Sequence, residues 1–529
     1  MNHWIIAPVI LPAVVGPLII LWMRHDLLLQ RVFSILGTAA LVGVAIWLNV
    51  IASDGQVHVY RLGNWAAPFG IVLMLDRLAA VMVLLTALLA LVVQLYAFGS
   101  GWDRKGWHFH ALWQFQLMGV CGAFLTGDAF NLFVFFEILL IASYGLMLHG
   151  GGEMRLRAGT QYVVYNLAGS ALFLAALGTL YAVTGTLNMA DLANRVAQLP
   201  PEDTSLIRVG AILLMLVFAV KAALIPLHFW LPSTYANAPG PVAALFAIMT
   251  KVGVYAIIRF FTLVFPPHTV IETLAAELLL PAALFTLALG QIGVLGSRNL
   301  ARLAAFAAIG SIGTLMISVA QFTPQGLSAA VYYMIHSTLA AGALFLIVDL
   351  VGARRGLWLQ AGSLMPNHGL ISALFFAAAI AIAGLPPLSG FIGKLLVLDA
   401  TRASDWWVWI WAVILVTSLI AIVGFARAGS TVFWLPYAMR GVHKPGDEAT
   451  AGDRKTILTK IEPDEAIQNL ADAPAPWLAL AAPMALIAVL VALTVFAGPV
   501  MRLAEDTAAQ LGDQASYIRA VLIEQEGAR

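Results

Sequence analysis

Charge is scarce in this chain. Only 10% of its 529 residues are Asp, Glu, Lys or Arg, while 61% are hydrophobic, and mean hydropathy is +0.91. A soluble domain carries roughly 25% charge, so a water-facing surface of this size could not be covered and most of the chain must lie in lipid. A net charge of +1 argues against a nucleic-acid partner. The single cysteine, Cys121, excludes an intramolecular disulfide. Also missing are a Walker loop, a cysteine pair for a metal or iron–sulfur cluster, a His-Glu-x-x-His pair and a Gly-x-Ser-x-Gly elbow. Little soluble mass is left to build a water-facing site, so no cofactor is expected. Energy then has to come from an ion gradient or a coupled partner.

What the chain has is long apolar runs. A span takes about 20 mostly apolar residues. Fourteen runs qualify, near 3–23, 31–51, 71–98, 110–127, 129–149, 161–184, 206–225, 238–265, 273–296, 300–321, 325–351, 368–398, 406–434 and 474–500. Met1 to Trp22 lacks a basic leader and a small-residue cleavage site, so it reads as a retained first span. The fold class is thus an all-α membrane protein of about 14 helices.

Basic residues set orientation. Loops after odd-numbered spans hold fifteen Lys or Arg, among them Arg24, Arg104, Lys105, Arg155, Arg302 and Arg355; loops after even-numbered spans hold Arg61, Arg195, Arg208 and Arg402. The odd loops are therefore expected in the cytoplasm and both termini outside. Residues 440–473 read as a polar cytoplasmic loop. Residues 502–529 form an acidic tail with apolar residues near helical spacing, fit to lie on the membrane, dock a partner helix or stay solvated.

The charges inside spans carry the functional signal, because a charge at the bilayer centre costs about 2.5–3.5 kcal/mol on insertion scales. They include Asp76, Arg77, Asp128, Glu137, Lys221, Lys251, Arg259, Asp349, Lys394, Asp399 and Arg427. Three of the chain's seven lysines are in this set. A proton relay needs a group that can give up its proton; a desolvated lysine can, whereas arginine practically cannot. The competing reading is that each lysine is a structural partner of a carboxylate. Glu137 lies deep in an apolar helix, with Lys221 as its expected partner, either as a static pair or as a switch whose balance a passing proton changes.

Two spans carry breakers. Lys221 is followed by Pro226 and Pro232 in the seventh, and Pro386-Pro387 precedes Lys394 in the twelfth. Proline frees carbonyls that only protein or water can satisfy at membrane depth, and interrupted helices in corresponding halves point to inverted repeats with a site between them. His336, in the eleventh span, can accept and pass a proton near neutral pH, or can sit neutral and hydrogen-bonded. His228, beside Pro226, reads as a relay or as a cap on the broken helix.

At these residues the chain resembles the antiporter-like membrane subunits shared by Mrp-type multisubunit cation/proton antiporters and respiratory complex I. The stretches Thr126-Gly-Asp-Ala-Phe-Asn-Leu-Phe-Val-Phe-Phe-Glu137, Ile141-Ala-Ser-Tyr144 and Thr250-Lys-Val-Gly-Val-Tyr-Ala-Ile-Ile-Arg259 are similar to the D-subunit type in particular. The resemblance implies helices 1–3 over 1–109 and two inverted five-helix repeats over 110–265 and 273–434. It further implies broken helices 7 and 12, a cytoplasmic loop over 435–473, and a last helix with a periplasmic tail over 474–529. It implies a proton relay through Glu137, Lys221, Lys251, His336 and Lys394, with His228, Asp128 and Arg427 as secondary candidates. The implied activity is proton-coupled expulsion of Na⁺, K⁺ or Li⁺ across a bacterial inner membrane, together with the other subunits of the complex. The alternative is a proton-pumping subunit of a complex I-like or hydrogenase redox complex. Two departures stand out: Ala341 replaces a lysine that many relatives carry, and Ala307-Ala308-Ile309-Gly310-Ser311 stands where many have a Ser-Ser-Ile-x-His run. No set of carboxylates and carbonyls reads as a complete cation site, so the cation route and any metal ligands stay open.

Overall fold

The computed structural model describes residues 3–200, 204–265, 270–362, 364–436 and 473–522. The polar loop expected over 435–473 lies almost wholly outside them. The chain opens with α1 (Ala7–Trp22) and α2 (Leu27–Ala52), the latter capped by the Asp26 carboxylate accepting from Leu28 and Leu29 N–H. A hairpin follows, β1 (His58–Arg61) antiparallel to β2 (Val72–Leu75), with His58 opposite Leu75. The all-α class holds apart from this short hairpin: residues read as the start of the third span pair as a strand, and α3 begins only at Arg77 (Arg77–Ser100). An extended run of β-branched and aliphatic residues that is buried on both faces looks like span from composition alone.

Next come α4 (Phe109–Leu125), α5 (Ala129–Leu148), α6 (Glu153–Thr184), the short amphipathic α7 (Met189–Gln198) and α8 (Ser205–Ala222). The chain then breaks, passes through α9 (Trp230–Asn237) and α10 (Gly240–Phe246), and continues as α11 (Met249–Arg259), which runs on as a π-helical turn, Phe260–Val264. The second half holds α12 (Val270–Gly296), α13 (Leu300–Val319), α14 (Pro324–Arg355), the two pieces α15 (His368–Ala383) and α16 (Ser389–Ala400), and α17 (Trp407–Gly429). The last elements are α18 (Trp477–Val495), α19 (Ala497–Gly512) and α20 (Gln514–Leu522).

Among the described residues, eleven helices are long and apolar enough to cross a membrane, fewer than the fourteen runs read from the sequence. The difference has a geometric cause. α1 and α15 have 16 residues each and α4 has 17, about 24–26 Å at 1.5 Å per residue, against a hydrocarbon core of about 30 Å. The predicted twelfth span is not one helix but α15 and α16, separated at Gly384–Leu388.

The interior is dominated by one large apolar cluster that includes α10, α11, α13 and α14, which are buried nearly all round. α12 and α17 expose apolar side chains such as Phe285, Leu415 and Leu419 on their outer faces, as lipid requires. The tail is docked on its own chain. Asp506 on α19 pairs with Arg77 at 2.6 Å, and Gln510 accepts from Arg77 N–H at 2.9 Å and donates to the Gly55 carbonyl at 3.0 Å. Tyr517 and Val521 of α20 are buried.

Candidate functional site

The site is a line of polar groups through the apolar interior. Lys221, Lys251, His336 and Lys394 are 5%, 1%, 1% and 7% exposed. α5 starts at Asp128, whose side chain accepts from Asn131 N–H at 2.8 Å, and nine residues on it presents Glu137 toward α6. There the Ser170 hydroxyl donates a hydrogen bond to Glu137 Oε1. One turn back on the same face of α6, Asn166 Oδ1 accepts from Lys221 Nζ at 3.1 Å. Lys221 sits in the last turn of α8, with its ammonium 5.8 Å from the Phe136 ring centre.

The expected direct Glu137–Lys221 ion pair does not form. α6 lies between α5 and α8, and its Asn166 and Ser170 join the two charges through neutral groups. The break after Lys221 is stitched from within: Trp230 Nε1 donates to the Val220 carbonyl at 2.9 Å, and Ile225 N–H donates to Thr286 Oγ1 at 3.0 Å.

Lys251 stands on α11 in the centre of the bundle. Gly253, two residues on, lets α11 approach α8 backbone to backbone; a Cβ there would come within 2.7 Å of Ala222 N and 2.8 Å of the Phe218 carbonyl. That contact brings the segment bearing Lys251 against the segment bearing Lys221. The Lys251 ammonium makes no hydrogen bond or ion pair among the described residues.

Beyond it, His336 Nδ1 meets Ser389 Oγ at 2.9 Å, at the start of α16. Lys394, farther along α16, donates to the Ala383 carbonyl at 2.7 Å and to Ser418 Oγ on α17 at 2.8 Å. Ala383 is the last residue of α15, so the ammonium rests on a carbonyl that the helix break left free, at the negative end of the helix dipole. A small cavity with room for about one water lies beside His336. Ala307, Ala308, Ser311 and Ala341 are among the residues that line it.

None of the three buried lysines therefore pairs with a carboxylate among the described residues. The arginines behave differently. Arg259 pairs with Asp76 at 2.6 Å and reaches Tyr255 Oη at 3.0 Å. Asp399 pairs with Arg402 at 3.0 Å on the surface. Asp349 accepts from Tyr96 Oη at 2.7 Å and Trp102 Nε1 at 2.8 Å. Arg427 donates to the Ser297 carbonyl at 2.6 Å, apart from the line. Asp128 serves as a helix cap in the turn between α4 and α5; burial pushes its carboxyl up to about 6. Among the described residues His228 makes no capping hydrogen bond, and its buried Nδ1 has no partner.

Asn166, Ser170, Ser389 and Ser418 were missed by reasoning from charge alone. Their signal was faint: an amide and a hydroxyl four residues apart on one face of an apolar span. Among the described residues, no group of three or more His, Cys, Asp or Glu could hold a metal ion.

Residues 126–421 match the family described as NADH:quinone oxidoreductase/Mrp antiporter, TM. The chain is 40% identical over 474 residues to the D subunit of a probable K(+)/H(+) antiporter of Rhizobium meliloti (strain 1021). It is also 40% identical over 439 residues to the D subunit of the Na(+)/H(+) antiporter of Bacillus subtilis (strain 168). Each match covers 82% of this chain and 87% of the relative. Among solved structures, a chain of the Mrp complex from Dietzia sp. DQ12-45-1b is similar with a TM-score of 0.84 at 27% identity, covering 99% of this chain and 100% of the other. A chain of respiratory complex I from Thermus thermophilus with bound NADH is similar with a TM-score of 0.72 at 26% identity, covering 96% and 100%.

Proposed function

The chain belongs to the NADH:quinone oxidoreductase/Mrp antiporter membrane family, and from that premise we propose that it is the proton-carrying D subunit of a multisubunit Na⁺(K⁺)/H⁺ antiporter. It is a multi-pass membrane protein that works with the other subunits of its complex, as a secondary transporter and not an enzyme. The names of its curated relatives favour this reading over a redox-driven pump, whose subunits share the fold. The two five-helix units span 110–265 and 273–434 within fourteen crossings, counting the short α1, the 17-residue α4 and the α15–α16 pair. The loops rich in Arg and Lys face the cytoplasm of a bacterium, and both termini face outward.

One observation carries the mechanism: three buried ammonium groups lack carboxylate partners among the described residues, and each is held only by neutral groups or by none. A lysine locked to a carboxylate keeps its proton, whereas one resting on an amide or a carbonyl can release it when a second positive charge approaches. A proton arriving near Glu137 neutralises the carboxylate and weakens its hold on Lys221 through Ser170 and Asn166. Lys221 then passes its proton toward Lys251. His336 and Ser389 carry the step to Lys394, which releases it on the far side. The cation crosses elsewhere, in another subunit or at a subunit interface.

The test is to express the complete set of subunits in an antiporter-deficient host. Na⁺- and K⁺-dependent collapse of ΔpH is measured in everted vesicles for wild type, Glu137→Ala and Lys221→Ala, with assembly checked on native gels. Loss of activity in assembled complex supports the relay. Activity surviving both substitutions would make the buried charges scaffold. Proton pumping that follows quinone or hydrogenase turnover in place of added cation would move the chain to the redox class.

A further inference from the structure

An open pocket of about 480 Å³ lies between the α1–α2 turn and the loop joining α3 to α4. Its lining includes Arg24, His25, Gln30, Arg104, Lys105 and Trp107. The floor is rigid. Arg31 holds Asp103 through two hydrogen bonds, at 2.5 and 2.9 Å, and His110 Nε2 lies 3.3 Å from the same carboxylate. Gln30 Nε2 donates to the Met23 and Arg24 carbonyls at 3.0 and 3.1 Å, which fixes the α1–α2 turn.

The charge of this pocket is one-sided. Asp103 is the one carboxylate in its lining. Burial works against the Asp103 charge, but hydrogen bonds from His110 and Arg31 outweigh it and hold the carboxyl below its usual range. That charge is thus already matched by Arg31. The nearby Asp26 is spent on capping α2. Arg24 donates to His25 Nε2 at 2.8 Å, so that imidazole nitrogen is an acceptor, and Arg24 makes no ion pair among the described residues. The Arg104 guanidinium makes no hydrogen bond or ion pair among the described residues, and Lys105 lies 3.7 Å from the Trp102 ring centre.

Exposed apolar side chains flank the lining along the chain and serve as its rim. Trp107, which lines the pocket, is 71% exposed. Leu21, Trp22 and Leu28, close in sequence to the lining residues Arg24 and Leu27, are 70%, 75% and 66% exposed. Tryptophans at the ends of spans mark the headgroup level of a bilayer, so these side chains meet acyl chains and not water. Unpaired guanidinium groups inside an apolar rim at that level match one kind of molecule: a phosphate bearing two hydrocarbon tails. We propose that this pocket binds the phosphodiester headgroup of an anionic phospholipid from the adjoining leaflet. Arg24 and Arg104 contact the phosphate, and Trp22, Leu28 and Trp107 lie along the glycerol and upper acyl chains. A free phosphate would gain nothing from the rim.

The test uses the purified, delipidated whole complex, titrated with dioleoyl phosphatidylglycerol or dioleoyl phosphatidylcholine and read by native mass spectrometry. Wild type is expected to retain the anionic lipid preferentially. The double variant Arg24→Gln/Arg104→Gln should bind it roughly 30-fold more weakly, taking each surface arginine at its usual worth against an anionic leaflet. Arg208→Gln, outside the pocket, should bind as wild type does. Equal binding of the two lipids, or equal binding by wild type and the double variant, overturns the proposal. Displacement of the lipid by millimolar inorganic phosphate assigns the pocket to a free anion and overturns it as well. Protection of the 104–107 peptide by a neighbouring subunit in lipid-free complex would make the pocket a protein interface, with the same consequence.

Discussion

The two halves of the bundle hold a buried lysine by different means. In the first, Lys221 leans on the Asn166 side chain, and a carboxylate, Glu137, closes the network behind it. In the second, Lys394 leans on the backbone, through the Ala383 carbonyl that the α15–α16 break sets free, and on one hydroxyl, Ser418. Two of the helices start on a side-chain cap, α5 on Asp128 and α13 on Asn299. Nine residues beyond the first cap stands Glu137, and nine beyond the second stands Ala308, in the wall of the small cavity next to His336. The first half thus carries a movable charge and the second carries room. A side-chain network that ends on a carboxylate can be retuned by a proton, because Glu137 changes charge. A backbone carbonyl cannot change charge, so it gives the second lysine a constant resting place.

This contrast can be broken or sharpened by substitution. The largest effect is expected at Lys221: Lys221→Arg should reduce cation-dependent ΔpH collapse to background in assembled complex, since arginine keeps its positive charge but does not release its proton. Transport by that variant close to the wild-type rate would mean that charge alone suffices. Next comes the pair Asn166→Leu and Ser418→Ala. A hydrogen bond to a charged group is worth roughly 1.5–3 kcal/mol. Asn166→Leu, which removes the one hydrogen-bond partner of Lys221 among the described residues, should therefore slow transport about tenfold or more. Ser418→Ala leaves the Ala383 carbonyl in place and should slow it no more than about threefold. Equal losses would erase the distinction between the halves.

A smaller effect is expected in stability against pH. The Asp128 carboxyl titrates at about 6 because of burial, above the ordinary value of 3.8. The folded state therefore binds this proton more tightly than the unfolded chain does. Its stability falls as pH rises from about 4 to 6, and the cost is complete above that window. Asp128→Asn keeps the cap and removes the titration, so the variant should melt a few degrees above wild type at pH 7 and level with it near pH 4. An unchanged difference between variant and wild type across that range would assign the effect to packing. The smallest effect is expected from Ala307→Ser/Ala308→Ser, which adds hydroxyls to the cavity wall. If the cavity already holds a bridging water, the transport rate should stay within about twofold of wild type. A larger gain would identify the second half as the bottleneck.

The broad outline of this protein was legible in the sequence, because lipid allows few solutions. Apolar runs gave most of the helices, and prolines beside Lys221 and Lys394 marked both interruptions where they occur. Three features were not legible. β2 was hidden because a strand buried on both faces has the composition of a span. The tail looked indifferent to its surroundings because its anchors, Asp506, Gln510 and Tyr517, find Arg77, Gly55 and Arg259 from distant parts of the chain. Asp76 and Arg259 stood out as buried charges, but nothing local said that they belong to each other.

The sequence by itself determined which side chains could carry a proton. Solvation energy makes each charge in an apolar run costly, and lysine is the cation that can let its proton go. Only the tertiary structure decided what each lysine rests on. α6 packs between α5 and α8 and replaces the expected ion pair by an amide and a hydroxyl, while the gap between α15 and α16 turns a spare carbonyl toward Lys394. Those contacts depend on which helices become neighbours and at what height. That is a property of packing across residues far apart in sequence, and a local pattern cannot encode it.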